Sequence, residues 1–284
     1  MTWVTGHNGV RLHVQTAGDP ANPAILLVHG WSQHSLCWQH QMQALADHYY
    51  LVAPDLRGHG ASDKPTEAEA YNTSTPWAGD IAAIIDQLSL DKPLLVGWSL
   101  GGYICGDYLR MHGSAAVAGL ALVGSAVTLG KYAPAEVIAA RSPAAMAIGM
   151  YSEDQAENLA ATLAFVKACT AAPINADDLA TMVGYNMLVA PDIRQHCRLR
   201  HEDYRPTMAS LTIPAMVLWG SKDAIVLPPM AHQALDTIPQ AQPVELAGLG
   251  HEPFFEDPPR FNSALTAFAD QAFTKHPTQP RKVP

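Results

Sequence analysis

The stretch Leu94-Leu95-Val96-Gly97-Trp98-Ser99-Leu100-Gly101-Gly102 decides the fold of this chain. An apolar run opens it, a G-x-S-x-G pattern follows, and helical spacing continues from Tyr103 to Met111. A serine at the apex of such a strand–turn–helix unit takes a sparsely populated backbone conformation, which leaves no room for side chains two residues away. Glycine is therefore expected at 97 and 101. The turn should lift the Ser99 hydroxyl above the edge of a sheet.

Apolar runs elsewhere predict the other strands of that sheet. The predicted strands are an alternating segment over 10–16 and buried runs at 24–28, 50–53, 94–98, 118–123, 215–219 and 244–246. Helical patterns separate most of these runs, which is typical of a mostly parallel, doubly wound α/β sheet. Such sheets bind ligands beyond the carboxyl ends of their strands. The motifs at those ends should therefore lie together.

The segment 129–205 differs from the rest of the chain. It is rich in alanine and methionine, has helical spacing and contains no buried-strand run. We therefore predict a helical insertion at 129–205, with a core domain formed by 1–128 and 206–284.

The composition excludes several classes of function. The chain has 284 residues, 48% of them hydrophobic, and a formal net charge of −9, which argues against binding nucleic acid or an anionic membrane. The sequence shows neither a signal peptide nor an apolar stretch of about 18 residues that could cross a membrane. The four cysteines, at 37, 105, 169 and 197, lack the spacing of a metal site or a disulfide framework. A cytoplasmic protein with reduced thiols, without metal or cofactor, is expected; the oligomeric state is left open.

Ser99 needs a base within hydrogen-bonding reach and an acid that orients the base. Downstream, Asp223 and His251 each follow a predicted strand. The chain order serine, aspartate, histidine is the order of one known arrangement of the catalytic triad. We therefore predict Ser99 as the nucleophile, His251 as the general base and acid, and Asp223 as the residue that orients the imidazole.

The anionic intermediate of acyl transfer needs two backbone donors. The amide of Leu100, at the start of the helix, is one candidate, and the amide of Trp31, in the loop after the strand at 24–28, is the other. We expect His29 to hold that loop. The charged side chains of Asp55-Leu56-Arg57-Gly58-His59-Gly60-Ala61-Ser62 are expected to brace neighbouring loops rather than to take part in catalysis.

These motifs resemble the α/β-hydrolase superfamily. The matching elements are His29-Gly30-Trp31, the 55–62 loop, Gly97-x-Ser99-x-Gly101-Gly102, Gly220-x-x-Asp223 and Gly250-His251, which together span 24–257. The elbow and the His-Gly-Trp loop look like those of small carboxylesterases, pimeloyl-ACP methyl ester esterases and cofactor-free haloperoxidases or perhydrolases. The resemblance implies about eight strands, with the 129–205 insertion after the sixth forming a helical cap over the site.

The residue at the elbow separates branches of this superfamily. Haloalkane dehalogenases and epoxide hydrolases carry aspartate there, whereas this chain carries Ser99, which favours acyl transfer. We expect hydrolysis of a small to medium, largely apolar or aromatic ester, with water as the second substrate. The same triad could also serve perhydrolysis, C–C bond, thioester or lactone hydrolysis, or acyl transfer to an alcohol. A ligand receptor with vestigial hydrolase activity is a more remote alternative.

Apolar side chains are the candidates for the substrate pocket. They are Trp31, Met146, Met150, Tyr151, Met182 and Tyr185, although the cap residues among them could instead form the core of the insertion. The basic segment from Arg194 to Arg205 could meet an anionic group of a substrate. Because Glu202 and Asp203 lie among its arginines, a solvated helix face is the expected structure.

Overall fold

The computed structural model describes residues 2–275, which form ten strands. The strands are β1 Thr2–Thr5, β2 Arg11–Ala17, β3 Ala24–Val28, β4 Tyr50–Pro54, β5 Leu94–Trp98, β6 Gly119–Val123, β7 Thr128–Leu129, β8 Glu202–Asp203, β9 Ala215–Gly220 and β10 Ala241–Leu246. Eight of them form one sheet in the order β1-β2-β4-β3-β5-β6-β9-β10. The pairs β1–β2 and β2–β4 are antiparallel, and the other pairs of this sheet are parallel.

Thirteen α-helices lie in the same described part of the chain. They are α1 Gln39–Ala44, α2 Glu69–Asn72, α3 Ser74–Gln87, α4 Leu100–His112, α5 Ala135–Ala139, α6 Pro143–Met146, α7 Gln155–Ala168, α8 Ala176–Met187, α9 Pro191–Arg198, α10 Arg205–Ala209, α11 Pro228–Thr237, α12 Pro253–Glu256 and α13 Pro258–Lys275. Short 3₁₀ turns precede α1 and connect α6 to α7. No helix within 2–275 combines the length and apolar character needed to span a bilayer.

The sheet is covered on both faces, as its continuous apolar strands predict. Every residue of β3, β4, β5 and β6 is buried. Successive residues of β3 alternate between faces: Leu26 packs in the core that includes α3 and α4, and Leu27 in the core that includes α13. The mostly parallel, doubly wound sheet of eight strands is thus confirmed.

The helices α5–α9 follow the sixth strand, where the insertion is expected. The two-stranded sheet β7–β8 lies at the two ends of this helical segment and pairs Thr128 with Asp203 and Leu129 with Glu202. Sequence patterns missed this sheet and β1, because strands of two and four residues are too short to show a period. The segment 276–284, which the expected core domain includes, lies outside the described residues.

Candidate active site

The turn at Ser99 has the strained geometry that its sequence predicts. Ser99 lies between β5 and α4 with φ 53° and ψ −118°, outside the regions that L-residues favour. A Cβ added at Gly97 would lie 2.6 Å from the carbonyl oxygen of Gly101, and one added at Gly101 would collide with that of Val28. Both glycines are therefore required by space.

The backbone of Ser99 is fixed, while its hydroxyl is available. Its N–H donates to the carbonyl of Val123 at 3.0 Å, and its carbonyl accepts from the hydroxyl of Ser125 at 2.8 Å. Within residues 2–275, neither the Ser99 hydroxyl nor the amides of Trp31 and Leu100 donate a hydrogen bond. Leu100 opens α4, where amides have no intrahelical acceptor. Both predicted oxyanion donors are thus unoccupied.

The loop after β3 reaches the serine closely. A Cβ added at Gly30 would lie 3.2 Å from Cβ of Ser99, so the next residue, Trp31, is adjacent to the elbow. The indole N–H of Trp31 donates to the backbone carbonyl of Arg194 in α9 at 2.9 Å. The helical segment therefore helps to position this loop.

Two buried histidines form hydrogen bonds that fix the loop containing Trp31. Nε2 of His29 accepts from the amide of Leu56 at 3.0 Å, and Nε2 of His59 accepts from the amide of Ser32 at 3.1 Å. In both rings Nδ1 donates to a carbonyl, so both are neutral Nδ1–H tautomers. Burial lowers the pKa of His29 to about 3 and that of His59 to about 4. They join the Trp31 loop to the 55–62 loop and carry no charge.

The 55–62 loop has its own polar anchors. Asp55 is buried, accepts from the amides of Ser35 and Ala61, and contacts Nδ1 of His13 at 3.0 Å. Burial alone would raise the pKa of Asp55, but the nearby His34 and the hydrogen bonds outweigh burial and lower it to about 2. Its contacts are those of a bracing residue, as expected.

Asp223 and His251 form a close pair at the ends of β9 and β10. Oδ2 of Asp223 lies 2.7 Å from Nδ1 of His251, and both side chains are almost completely buried. Oδ1 of Asp223 accepts from the amides of Ile225 and Val226 at 2.8 and 2.9 Å. With the carboxylate fixed on both sides, Nδ1 of the ring is engaged, and Nε2 makes no hydrogen bond within 2–275.

Hydrogen bonds to its backbone from Cys169, Trp98 and Glu256 hold the His251 loop in place. The amide of His251 donates to the carbonyl of Cys169, just after α7, at 2.7 Å, and its carbonyl accepts from the indole of Trp98 at 2.9 Å. The carboxylate of Glu256 accepts from the amides of Gly250 and Ala171, each at 2.7 Å. Nothing in the sequence signalled Cys169 or Glu256, because both act through contacts distant along the chain.

Two cavities meet at Ser99. The larger lobe, about 190 Å³, is lined mainly by apolar side chains from α4, the helical segment and the 225–230 region. The smaller lobe, about 30 Å³, includes His251, Trp98 and Phe165. Trp31, Ser99, Arg198 and Ile225 line both lobes. The serine and the histidine, far apart in sequence, therefore face one space. Within 2–275, no cluster of three or more potential ligands could hold a metal ion.

The comparison with known proteins points to one family. The family model for the alpha/beta hydrolase fold matches residues 23–258, which is most of the chain. The chain belongs to the α/β-hydrolase family.

Relatives of this α/β-hydrolase, two of them with solved structures, align over most of its length. A candidate aryl esterase from Burkholderia cenocepacia is 32% identical, with a TM-score of 0.88 over 96% of this chain and 99% of that one. An esterase from Rhodococcus is 34% identical, with a TM-score of 0.87 over 95% and 98%. The AB hydrolase superfamily protein YisY of Bacillus subtilis is 28% identical over 87% of this chain and 91% of its own length. Together they support hydrolytic or related activity.

The structure places only part of the expected substrate pocket of this α/β-hydrolase on the cavity wall. Trp31 and Met146 line the larger lobe. Met150 is fully buried in the core, and Tyr151 packs edge-on against Trp31, 6.1 Å between centroids. Met182 and Tyr185 belong to a separate apolar cluster in the helical segment. These four side chains are absent from the lining of both lobes. The sequence could not reveal this, because helical spacing marks the apolar face of a helix but does not show what that face packs against.

The expectation of a solvated basic helix face at 194–205 is wrong for Arg194 and Arg200. Arg194 is 1% exposed, and its guanidinium donates to Asn158 at 2.8 Å and to the Asn186 carbonyl at 2.5 Å. Burial lowers the pKa of Arg194 to about 10. Arg200, also 1% exposed, pairs with Asp107 of α4 at 2.6 Å. Neutral and acidic partners from distant elements make burial of these charges possible, and a local pattern does not reveal them.

Glu252, the neighbour of His251, gives the α/β-hydrolase a distinctive pH dependence of stability. Burial, with the nearby charge of Glu256, raises the pKa of Glu252 from 4.5 to about 8. Its stabilising contribution is complete below about pH 4.5 and is lost as the pH rises to about 8. Over this range the contribution falls by up to about 1.4 kcal/mol per pH unit. In Glu252→Gln this fall should be absent.

Urea unfolding at several pH values between 5 and 9 measures this effect, because each unfolding curve gives the free energy of unfolding at that pH. Between pH 5 and pH 8.5, the free energy of unfolding of the Glu252→Gln variant should rise by about 2–5 kcal/mol relative to that of the wild type. Glu245→Gln, an exposed glutamate of β10, is the control and should follow the wild-type curve. Parallel curves for all three proteins would contradict a buried, proton-binding Glu252.

Proposed function

We propose that this α/β-hydrolase is a serine hydrolase that cleaves small to medium, largely apolar or aromatic carboxylic esters through an acyl-enzyme intermediate. The observation that carries the proposal is the 2.7 Å pair of His251 and Asp223 on the same cavity as Ser99, whose hydroxyl has no hydrogen-bond partner within 2–275. Serine, rather than aspartate, at the elbow favours acyl transfer over alkyl-enzyme chemistry.

In the first half of the reaction, the ester carbonyl carbon is attacked by Oγ of Ser99. Nε2 of His251 accepts the hydroxyl proton, and Asp223 stabilises the imidazolium through Nδ1. The negative charge on the carbonyl oxygen is stabilised by the amides of Trp31 and Leu100, which have no other acceptor within 2–275. Collapse of this intermediate breaks the ester C–O bond, and His251 returns the proton to the departing alcohol.

In the second half, water replaces the alcohol. His251 accepts a proton from water as its oxygen attacks the acyl carbon, and the same two amides stabilise the second intermediate. The bond to Oγ of Ser99 then breaks, the proton returns to the serine, and the carboxylic acid leaves. The cycle uses this chain's residues and water alone.

The helical segment at 129–205 acts in this proposal as a cap over the core domain predicted at 1–128 and 206–284. Its residues Leu129, Ile138 and Met146 contribute apolar wall to the larger lobe, as do Ile225 and Val226 outside the segment. A volume of about 190 Å³ is little more than the roughly 150 Å³ of an engineered cavity that holds benzene. This size favours short acyl groups. A cytoplasmic location stays a prediction.

A panel of substrates tests this proposal. Purified protein should hydrolyse short p-nitrophenyl esters, such as the acetate and butyrate, and should not hydrolyse long-chain triglycerides, because the lobe is too small for their acyl chains. Release of p-nitrophenol and of fatty acid measures the two activities. Preference for triglycerides would contradict the proposal. Turnover confined to a thioester, a diketone or a peroxide-dependent reaction would assign the triad to that chemistry.

A further inference from the structure

Two arginines line the cavity beside the proposed nucleophile. Arg141, between α5 and α6, and Arg198, at the end of α9, both contribute to the wall of the larger lobe. Both side chains are half-buried. In a chain with a formal net charge of −9, two adjacent cations in a mostly apolar cavity call for an explanation.

Most arginines in the described part of the chain have an acidic partner. Those that form an ion pair are Arg11, Arg57, Arg110, Arg200, Arg205 and Arg260. Arg194 instead has neutral acceptors in the helical segment. Among residues 2–275, Arg141 and Arg198 are thus the arginines whose guanidinium groups lack a carboxylate and face a cavity.

Arg141 is the less satisfied of the two. Its side chain donates no hydrogen bond within 2–275, and its Nε is buried without a partner. The groups that act on it electrostatically are Tyr103, Arg198 and Asp223. Asp223 already accepts from two amides and pairs with His251, so it leaves Arg141 unpaired. A buried donor without an acceptor is costly, and a bound anion would remove that cost.

Arg198 connects the two arginines to the elbow. Its guanidinium lies 5.1 Å from the ring centroid of Trp31 and donates to the carbonyl of Met146 at 3.2 Å. A guanidinium carries five donors, so this single hydrogen bond leaves several for a ligand. Arg198 and Ser99 line the same two lobes, so a short acyl chain attached to Ser99 could reach an anion-binding group at Arg198.

We propose that the larger lobe binds a carboxylate carried by the acyl part of the substrate, so that the preferred ester is a monoester of a short dicarboxylic acid with a small alcohol. This inference rests on the proposed ester hydrolysis. Guanidinium groups match carboxylates in charge and bidentate geometry, and the apolar wall suits the methylene groups between the two carbonyl carbons.

The position of His251 assigns the carboxylate to the acyl side. His251 protonates the departing alcohol, so the alcohol must lie on its side of Ser99. His251 lines the smaller lobe, whose 30 Å³ suits an alcohol such as methanol, and Arg141 lines only the larger lobe. The acyl chain therefore extends from Ser99 towards Arg141.

Kinetics with a matched pair of substrates test the inference. Monomethyl glutarate carries one free carboxylate, and dimethyl glutarate is its neutral counterpart. We expect kcat/KM for the monoester to exceed that for the diester, and Arg141→Gln to lower this selectivity ratio by about 10–100-fold, mainly through KM. Arg141→Lys, which keeps the charge, should restore part of the ratio. Arg205→Gln, an exposed arginine outside the cavity, should leave the ratio unchanged.

Binding without turnover separates this inference from the proposed function. Calorimetric titration of the Ser99→Ala protein with glutarate should show binding that Arg141→Gln weakens by at least tenfold and Arg205→Gln does not. Equal kcat/KM values for the monoester and the diester would overturn the inference while leaving ester hydrolysis intact. Glutarate binding that Arg141→Gln does not weaken would overturn it in the same way. If no ester is hydrolysed, the proposed function fails, and the titration still decides whether the arginines form an anion site.

Discussion

Ser99→Ala should fold like the wild type and lose roughly 10⁴–10⁶-fold in kcat for ester hydrolysis. Alanine retains the Cβ, so the strain at φ 53° is shared by both proteins and the variant gains no new clash. The lost hydroxyl is the atom proposed to form the acyl-enzyme. His251→Ala should cause a similar loss, and Asp223→Ala a somewhat smaller one, because the aspartate acts through the histidine.

Covalent labelling locates the nucleophile independently of turnover. A fluorophosphonate should modify Ser99 in the wild type, identified by mass spectrometry of the peptide, and should not label Ser99→Ala. Ser125→Ala is the matched control, since its hydroxyl donates to the Ser99 carbonyl but is not proposed to react. That variant should still be labelled. Near-full activity in Ser99→Ala would refute the assignment of the nucleophile.

Arg57→Met should destabilise the fold by about 3–5 kcal/mol, because it leaves a buried carboxylate without its cation. Arg57, in the loop after β4, donates twice to Asp80 of α3 at 2.7 Å, and the two side chains are 1% and 2% exposed. Burial already raises the pKa of Asp80 even with the arginine present. Chemical denaturation followed by circular dichroism measures the loss.

Two further variants isolate the cause. Replacing Asp80 with asparagine in the Arg57→Met background should recover part of the stability, since no unpaired charge is then buried and the contact with the His7 amide can persist. Arg205→Met breaks an exposed pair with Asp203, 48% and 26% exposed, and should barely move the denaturation midpoint. Equal effects of Arg57→Met and Arg205→Met would show that burial is not the source of the cost.

The elbow and the buried strands of the sheet could be predicted because they rest on local rules. Gly97 and Gly101 are dictated by a turn of six residues, and continuous apolar runs mark strands that are covered on both faces. The positions of Asp223 and His251 followed from the same logic, since carboxyl ends of parallel strands meet at one edge. The sequence therefore predicted that Ser99, Asp223 and His251 lie at the same edge of the sheet.

The walls of the cavity could not be predicted in this way. Met150 and Met182 have the same side chain as Met146, yet Met150 is buried in the main core and Met182 packs in the separate apolar cluster of the helical segment. Arg141 carried no motif, and its lack of an acidic partner appears only when partners are assigned to the other arginines within 2–275. The burial of Arg194 and Arg200 likewise depends on acceptors distant in sequence. Tertiary contacts, not periodicity, decide these roles.

The hydrogen bonds between the helical segment and the elbow region have a consequence for engineering and divergence. The carbonyl of Cys169 holds the His251 amide, and that of Arg194 holds the Trp31 indole. Both acceptors are main-chain atoms, so mutation can rewrite the side chains at 169 and 194 without deleting either acceptor. A chimera with a foreign segment, in contrast, would keep the proposed base and the proposed oxyanion donor in place only if its backbone presented carbonyls at the same two points. Under the proposed function, point mutations within the segment can therefore change the cavity wall while these two acceptors stay in place, whereas exchange of the whole segment can remove both.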